Sequence, residues 1–241
     1  MGDQLNTDMN AFDSNGWAVL ELPFVQNKIS EAKELFNQQF LPKFTDDAQL
    51  NRELIKRFAD HPFVASIFCS EEFVEAISKV AGISTAVKCG PLVSHYTSNN
   101  MTGNGYGLPY HQDYPSMGSS HRSVICWVNL ADSGPEAHGV EVLSGRHKEG
   151  LLKGEQSGSA YVLDASVFEE AEATVPVISA GSVLLMSSFL PHRTYVNADF
   201  SGWKLSLSQR FDDLDDREWG VRGFKNAYRT AVDRDLYIGS I

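Results

Sequence analysis

From Gly82 onward the chain is cut into short apolar runs separated by turns. The runs are TAVKCGPLVSHY, HRSVICWVNL, GVEVLSG, TVPVI, GSVLLMSS and WKLSLSQRF. Several are rich in strand-forming residues, with turn signals about ten residues apart. That spacing suits an antiparallel sandwich or barrel and argues against alternating strand–helix–strand units. The expected body is therefore mainly β and jelly-roll-like.

The first third reads differently. Asn15-Gly16 is a turn, and Trp17-Ala18-Val19-Leu20-Glu21-Leu22 follows as a strand. Residues 27–40, NKISEAKELFNQQF, place Ile29, Ala32, Leu35, Phe36 and Phe40 at helical spacing. Residues 61–80 suit one or two further helices, and Ser70-Glu71-Glu72 offers a start signal for the second. We expect a single domain over 1–241: a helical layer over about 1–82, a jelly-roll core over about 83–212, and a polar tail over 213–241 with a helix near 222–234.

Charge and composition narrow the partners. The 241 residues carry a net charge of −11 and no block of Lys or Arg, so the surface repels phosphate backbones and nucleic-acid binding is not expected. No apolar run approaches the roughly 18 residues of a membrane span. The start, MGDQLNTDMNAFDSNG, lacks the basic stretch and apolar core of a signal peptide. It also lacks the hydroxyl residue that a myristoylation signal wants at the sixth position. Cys69, Cys89 and Cys126 are odd in number and widely spaced, which reads as reduced, partly buried thiols. These features together point to the cytoplasm and make the sequon at Asn100 a chance match. Oligomeric state is not legible.

The chemistry begins at YHQDYPSMG, residues 110–118. His111 and Asp113 are two apart, so in a strand both point to one face. His192 stands out among the other histidines because an apolar strand ends at GSVLLMSS, Pro191 bends the chain and His192 follows. Taken singly, His61 before a proline, His95 in a strand, and His121, His138 and His147 at turns read as surface or structural residues. Two imidazoles and a carboxylate suit Fe(II) as a facial triad with open coordination positions, and zinc is the alternative. Farther on, WKLSLSQRF sets Lys204, Ser206, Ser208 and Arg210 on one strand face. That face either meets water or points inward, where a buried ammonium needs an anionic partner such as a ligand carboxylate.

With these residues assembled, the chain resembles the phytanoyl-CoA dioxygenase family of Fe(II)/2-oxoglutarate oxygenases. The resemblance rests on His111-Gln112-Asp113, Trp127 in VICWVNL, the segment GVEVLSGRHKEG, GSVLLM with Pro191-His192, Asn197, Lys204-Leu205-Ser206, and GWAVLELPF near the start. It implies a double-stranded β-helix (cupin-like) core with helices on one side, and His111, Asp113 and His192 as iron ligands. It implies 2-oxoglutarate and O2 as co-substrates, with ascorbate in support, a small-molecule metabolite as substrate, and release of succinate and CO2. The family's usual arginine for the far carboxylate of 2-oxoglutarate is matched here by Lys204, a point charge rather than a fork. Ser206 joins it, Arg210 is the alternative, and Trp127 lines the co-substrate pocket or packs as a core aromatic. Related halogenases lack the carboxylate that Asp113 supplies, so hydroxylation is expected rather than halogenation. In place of the family's proline-containing turn the chain has Ser144-Gly145-Arg146-His147, where His147 reads as structural and Arg146 as exposed.

Other features carry less. The glycine-rich stretch 97–109 is expected to be a flexible connection or lid, and its GNGYG lacks the following helix of a nucleotide loop. Tyr110, Tyr114, Ser116, Met117 and Arg122 flank the metal strand as candidate substrate contacts. Asp212-Asp213-Leu214-Asp215-Asp216 lacks the ligand order of a calcium loop and reads as solvated. No basic cluster matches the phosphates of a coenzyme A thioester. Two other classes remain open at this stage: a cupin-like binding protein without turnover, and a zinc-dependent isomerase or hydrolase.

Overall fold

The structure, a computed structural model, describes residues 2–98, 107–117, 120–158, 160–168 and 172–221. The expected helix at 222–234, the sequon at Asn100 and the centre of the glycine-rich stretch lie outside them.

Two five-stranded antiparallel sheets form the body. The first has the order β1 (Trp17–Leu20), β8 (Val183–Ser187), β4 (Val124–Asn129), β10 (Trp203–Asp213) and β2 (Ala86–Ser98). The second runs β5 (Gly139–Val142), β9 (His192–Tyr195), β3 (His111–Gln112), β7 (Ala160–Leu163) and β6 (Gly154–Ser157). This is the jelly-roll architecture that the spaced apolar runs imply. One run fails as a strand: TVPVI contains Pro176, which cannot donate to a ladder, and only Thr174 and Ile178 make isolated bridges, to Val142 and Ser133.

Period-two alternation divides the first sheet into two faces. Val124, Cys126, Val128, Val183, Leu185, Leu205, Leu207 and Phe211 meet the helices. Ile125, Trp127, Leu184 and Met186 turn inward, toward the second sheet. Full burial of each such aliphatic side chain contributes about 1.5–3 kcal/mol. β4 and β8 are apolar on both faces because both are covered, which is why they read as continuous runs in the sequence.

The helical layer comprises α1 (Gly2–Asn15), α2 (Pro23–Leu35), α3 (Ala48–Ala59), α4 (Pro62–Ile67) and α5 (Glu71–Ala81). Pro23 starts α2, which continues as a π-helical turn over Phe36–Phe40. Asp47 caps α3 by accepting from the amides of Gln49 and Leu50. His61 caps α4 through Nδ1, which accepts from the Phe63 amide. Gly82 ends α5 in the left-handed region at φ 65°. Phe36 sits at the centre of this layer, with ring contacts to Phe40, Phe44, Phe58 and Trp203. The layer is not purely helical, because β1 leaves it to become an edge strand of the first sheet. Two short helices follow later, α6 (Tyr114–Met117) and α7 (Arg217–Val221). No helix among the described residues is long and apolar enough to cross a membrane.

Candidate metal centre

His111 and His192 are directly opposed residues of β3 and β9, with ring centroids 4.2 Å apart. Each ring is fixed from behind: Nδ1 of His111 lies 2.8 Å from the carbonyl of Pro109, and Nδ1 of His192 lies 2.9 Å from that of Leu190. With Nδ1–H donating to a carbonyl, Nε2 of each imidazole presents its lone pair to the interior. β3 ends at Gln112, and Asp113 turns its carboxylate back toward the histidine pair, with Oδ1 3.6 Å from Nε2 of His111. One ligand atom from each of His111, Asp113 and His192 falls within 4.8 Å of the others, and all three residues are buried.

Gln112 explains why this turn holds. Its side chain points the opposite way, donating to the carbonyls of Gly150 and Phe189 and accepting from the amide of Leu152. The α6 turn begins at once, with the amides of Ser116 and Met117 bonded to the carbonyl of Asp113.

The electrostatics suit a cation. Burial pushes the Asp113 carboxyl up, but the Arg210 guanidinium 3.2 Å from Oδ2, together with the two histidines, outweighs it and holds the group at about 2. Burial, with His111 alongside, pulls His192 down to about 4, so its imidazole is neutral at pH 7. Two imidazoles and one ionised carboxylate converging in a buried site fit a divalent metal with coordination positions to spare.

The inward face of β10 forms one wall of the cleft in front of this centre. Lys204, Ser206, Ser208 and Arg210 all line it and all are buried. Lys204 has no carboxylate partner among the described residues. Its Nζ donates to the carbonyl of Gly139 at 3.1 Å and lies 5.3 Å from the Trp127 ring centroid. Burial lowers this ammonium to about 7. Trp127 therefore lines the cleft beside the lysine. Arg210, read from the sequence as a second candidate for the same anion, is instead committed to Asp113.

Several sequence candidates lie elsewhere. Tyr114, Ser116 and Met117 are buried outside the cleft lining, and Tyr110 hydrogen-bonds Glu141. Arg122 pairs with Asp213 and the carbonyl of Gly82, on the helical side. Arg146 is not a free surface charge: it pairs with Glu149 and donates to the carbonyl of Val167. His147 is structural, packed so closely on Gly16 (φ 81°) that a Cβ there would lie 2.5 Å from its Nδ1. The acidic run is only half solvated. Asp212 accepts from the amide and hydroxyl of Ser120, and Asp213 from the amides of Ser84 and Thr85. Cys89 and Cys126 are buried, whereas Cys69 is exposed, and all three are free thiols.

Sequence reading passed over His95, Thr97, Leu108, Val140, Met186 and Thr194, which line the cleft. For His95 and Thr97 the signal was present, since they oppose Ser206 and Lys204 across β2 and β10. Only strand pairing reveals it.

Comparison with known proteins agrees with this architecture. No curated protein sequence matches the chain. Among solved structures, AviO1 from Streptomyces viridochromogenes Tue57 has a TM-score of 0.63 at 15% identity, covering 88% of this chain and 96% of that one. EctD from S. alaskensis with bound Fe has a TM-score of 0.64 at 17% identity, covering 88% and 77%. The epimerase SnoN, in complex with Fe3+, alpha ketoglutarate and nogalamycin RO, has a TM-score of 0.56 at 16% identity, covering 88% and 85%. At these identities the likeness establishes the fold. The model of the phytanoyl-CoA dioxygenase (PhyH) family matches residues 12–198, which takes in every strand from β1 to β9, and the chain belongs to that family of Fe(II)- and 2-oxoglutarate-dependent oxygenases.

Proposed function

We propose that the chain, working as one domain, hydroxylates a small-molecule metabolite. In this reading His111, Asp113 and His192 hold Fe(II), and Lys204 with Ser206 binds the distal carboxylate of 2-oxoglutarate. The observation that carries it is one cleft containing both a buried two-histidine, one-carboxylate cluster and a buried lysine with no anionic partner among the described residues. When bound, the iron and 2-oxoglutarate supply the oxygen activation, with loss of CO2 and formation of succinate.

The chain's own residues do the positioning. Lys204 neutralises the far carboxylate, which in turn satisfies a buried ammonium that burial disfavours. Ser206 offers a hydroxyl two residues along the same face. The Trp127 ring, its centroid 5.3 Å from Nζ of Lys204, helps to fix where that charge stands. Arg210 occupies one oxygen of Asp113 and leaves the other toward the histidines. Ile125, Val140 and Met186 give the cleft an apolar wall that keeps water from the reacting atoms. The EctD structure with 2-oxoglutarate and 5-hydroxyectoine, and SnoN with nogalamycin RO, support a small organic molecule as the class of substrate.

The test is a succinate-release screen across metabolite pools with Fe(II) and ascorbate. A substrate should raise succinate and yield a product heavier by one oxygen. His111→Ala should abolish both metal binding and succinate release. Undiminished release from that variant would overturn the assignment.

A further inference from the structure

The cleft wall raises a chemical problem, given the reading of Lys204 as the anchor for 2-oxoglutarate. A carboxylate has two oxygens and accepts up to about four hydrogen bonds. An ammonium meets it as a point, without the parallel donors of a guanidinium. Lys204 already spends one N–H on the carbonyl of Gly139. Further directional donors are needed at the same place.

Strand register places two of them. Asn129 of β4 stands directly opposite Ser206, and His95 of β2 stands opposite Ser206 from the other side. Directly opposed residues of antiparallel strands share a face. Ser206 faces the cleft, so all three side chains stand in one row across β4, β10 and β2. Alternation along β4 agrees, since Trp127 lines the cleft and Asn129 is two residues on.

Neither flanking side chain is hydrogen-bonded to another described group. Asn129 is fully buried, and among the described residues neither its amide nitrogen nor its amide oxygen has a hydrogen-bond partner. A buried primary amide left in that state is costly, and such groups are nearly always paired. The His95 imidazole lines the cleft and is open to it, with no hydrogen bond to a described side chain or backbone group. Burial of its surroundings, and then the nearby cations of Arg210 and Lys204, lower its pKa to about 4. At pH 7 it is a neutral ring with one N–H to give, and it adds no third positive charge.

We propose that Asn129 and His95 complete the receptor for the distal carboxylate of 2-oxoglutarate, supplying from either side of Ser206 the hydrogen bonds that Lys204 cannot. The inference rests on the oxygenase reading above. It assigns to the co-substrate two residues that lie far from the metal-binding motif in the sequence.

The experiment uses full-length Fe(II)-loaded protein without oxygen or primary substrate, and reads the visible charge-transfer band formed when a 2-oxo acid chelates the metal. Two acids are titrated: 2-oxoglutarate, and 2-oxobutanoate, which keeps the 1-carboxylate and 2-keto group but lacks the distal carboxylate. Asn129→Leu and His95→Leu should each weaken 2-oxoglutarate about tenfold, equivalent to about 1.4 kcal/mol, and leave 2-oxobutanoate within about twofold. His95→Gln keeps an N–H donor and should recover most of the loss. Asn129→Ser and His95→Gln, measured in the same way, decide the matter if a leucine variant does not fold. Unchanged 2-oxoglutarate affinity, or equal weakening of both acids, would overturn the inference while leaving the oxygenase reading intact. No band from the wild-type protein with either acid would overturn that reading, and this inference with it.

Discussion

Arg210 and Asp113 form a buried ion pair whose geometry divides the carboxylate in two. Nη2 of Arg210 donates to Oδ2 at 3.2 Å, while Oδ1 faces Nε2 of His111 at 3.6 Å. The arginine comes from the far end of β10 and the aspartate from the turn after β3, so the contact also ties the two sheets together. The carboxylate is thereby held with one oxygen on the guanidinium and the other turned toward His111, the oxygen that would meet the metal under the proposed function.

Removing the guanidinium should weaken the centre even though Arg210 itself binds no metal. Two effects oppose each other: a nearby cation repels a divalent ion, but it also orients Asp113 and keeps it ionised. The orienting effect should win, because supporting hydrogen bonds to ligands are worth about 10–100-fold in metal affinity. Arg210→Met should lower Co(II) affinity by about tenfold or more. It should also destabilise the metal-free protein by about 3–5 kcal/mol, the cost of stranding a buried charge. Titration by Co(II) absorbance and urea unfolding measure the two effects. Equal or tighter metal binding would refute the role.

Lys204 should make the ligand-free protein more stable as the pH rises. Burial lowers the folded-state pKa from 10.5 to about 7. Between those values the unfolded chain carries a proton that the folded chain has lost, so stability increases with pH across that window. Below about 7 both states are protonated, and the folded one bears the full cost of a buried ammonium. Lys204→Met should remove this slope and raise the melting temperature near neutral pH. Saturating 2-oxoglutarate should flatten the slope in the wild type, because a bound carboxylate restores the lysine's pKa. Melting curves of both proteins across this range, with and without ligand, provide the check, and parallel pH profiles would count against it.

Asp212 should prove to be a stability residue. It is fully buried and accepts from the amide and hydroxyl of Ser120 and from the amide of Asp213. Asp212→Ala leaves those donors without an acceptor in a dry interior, at about 1–3 kcal/mol for an unsatisfied group and more where several are stranded. Urea unfolding should show a lower midpoint with an unchanged slope. Co(II) affinity of the folded protein should stay within about twofold, since the loss is argued from unsatisfied groups and not from the ligand set.

The sequence carried the strands whose two faces are both buried, because they appear as continuous apolar runs, and it carried α2, α4 and α5. It did not carry α1, where among the described side chains only Asp8 and Phe12 are buried, or α3, whose buried residues Ile55, Phe58 and Ala59 are confined to its second half. Nor did it carry β6, β7 and β9, where Gly154–Ser157 is partly or fully exposed, Ala160–Leu163 is four residues long and half-buried, and His192–Tyr195 is short and polar. The convergence of His111, Asp113 and His192 was legible because two of them are two residues apart and the third follows a proline at a strand end. The inward face of β10 was legible as polar residues at every second position, but whether it met water or a cleft depended on the second sheet. Asn129 and Asp212 were illegible for a related reason. A buried polar side chain looks like a surface one until its strand partners are known.

Gln112, the residue between the two motif ligands, joins the fold to the site. Its amide donates to the carbonyl of Phe189 at 2.6 Å and to that of Gly150 at 2.8 Å, and its oxygen accepts from the amide of Leu152 at 2.9 Å. Phe189 adjoins Leu190, whose carbonyl fixes Nδ1 of His192. Gln112 thus anchors the turn whose next residue holds His192, the third metal ligand in the proposed function. Gln112→Leu keeps the volume and loses all three hydrogen bonds, which should cost about 3 kcal/mol of stability. If the anchor also aims His192, Co(II) affinity should fall about tenfold in the protein that remains folded. Gln112→Glu should do at least as much damage, because a carboxylate facing two carbonyls repels where the amide donated. A stability loss with metal affinity unchanged would show that the anchor serves the fold alone and that Leu190 holds His192 without its help.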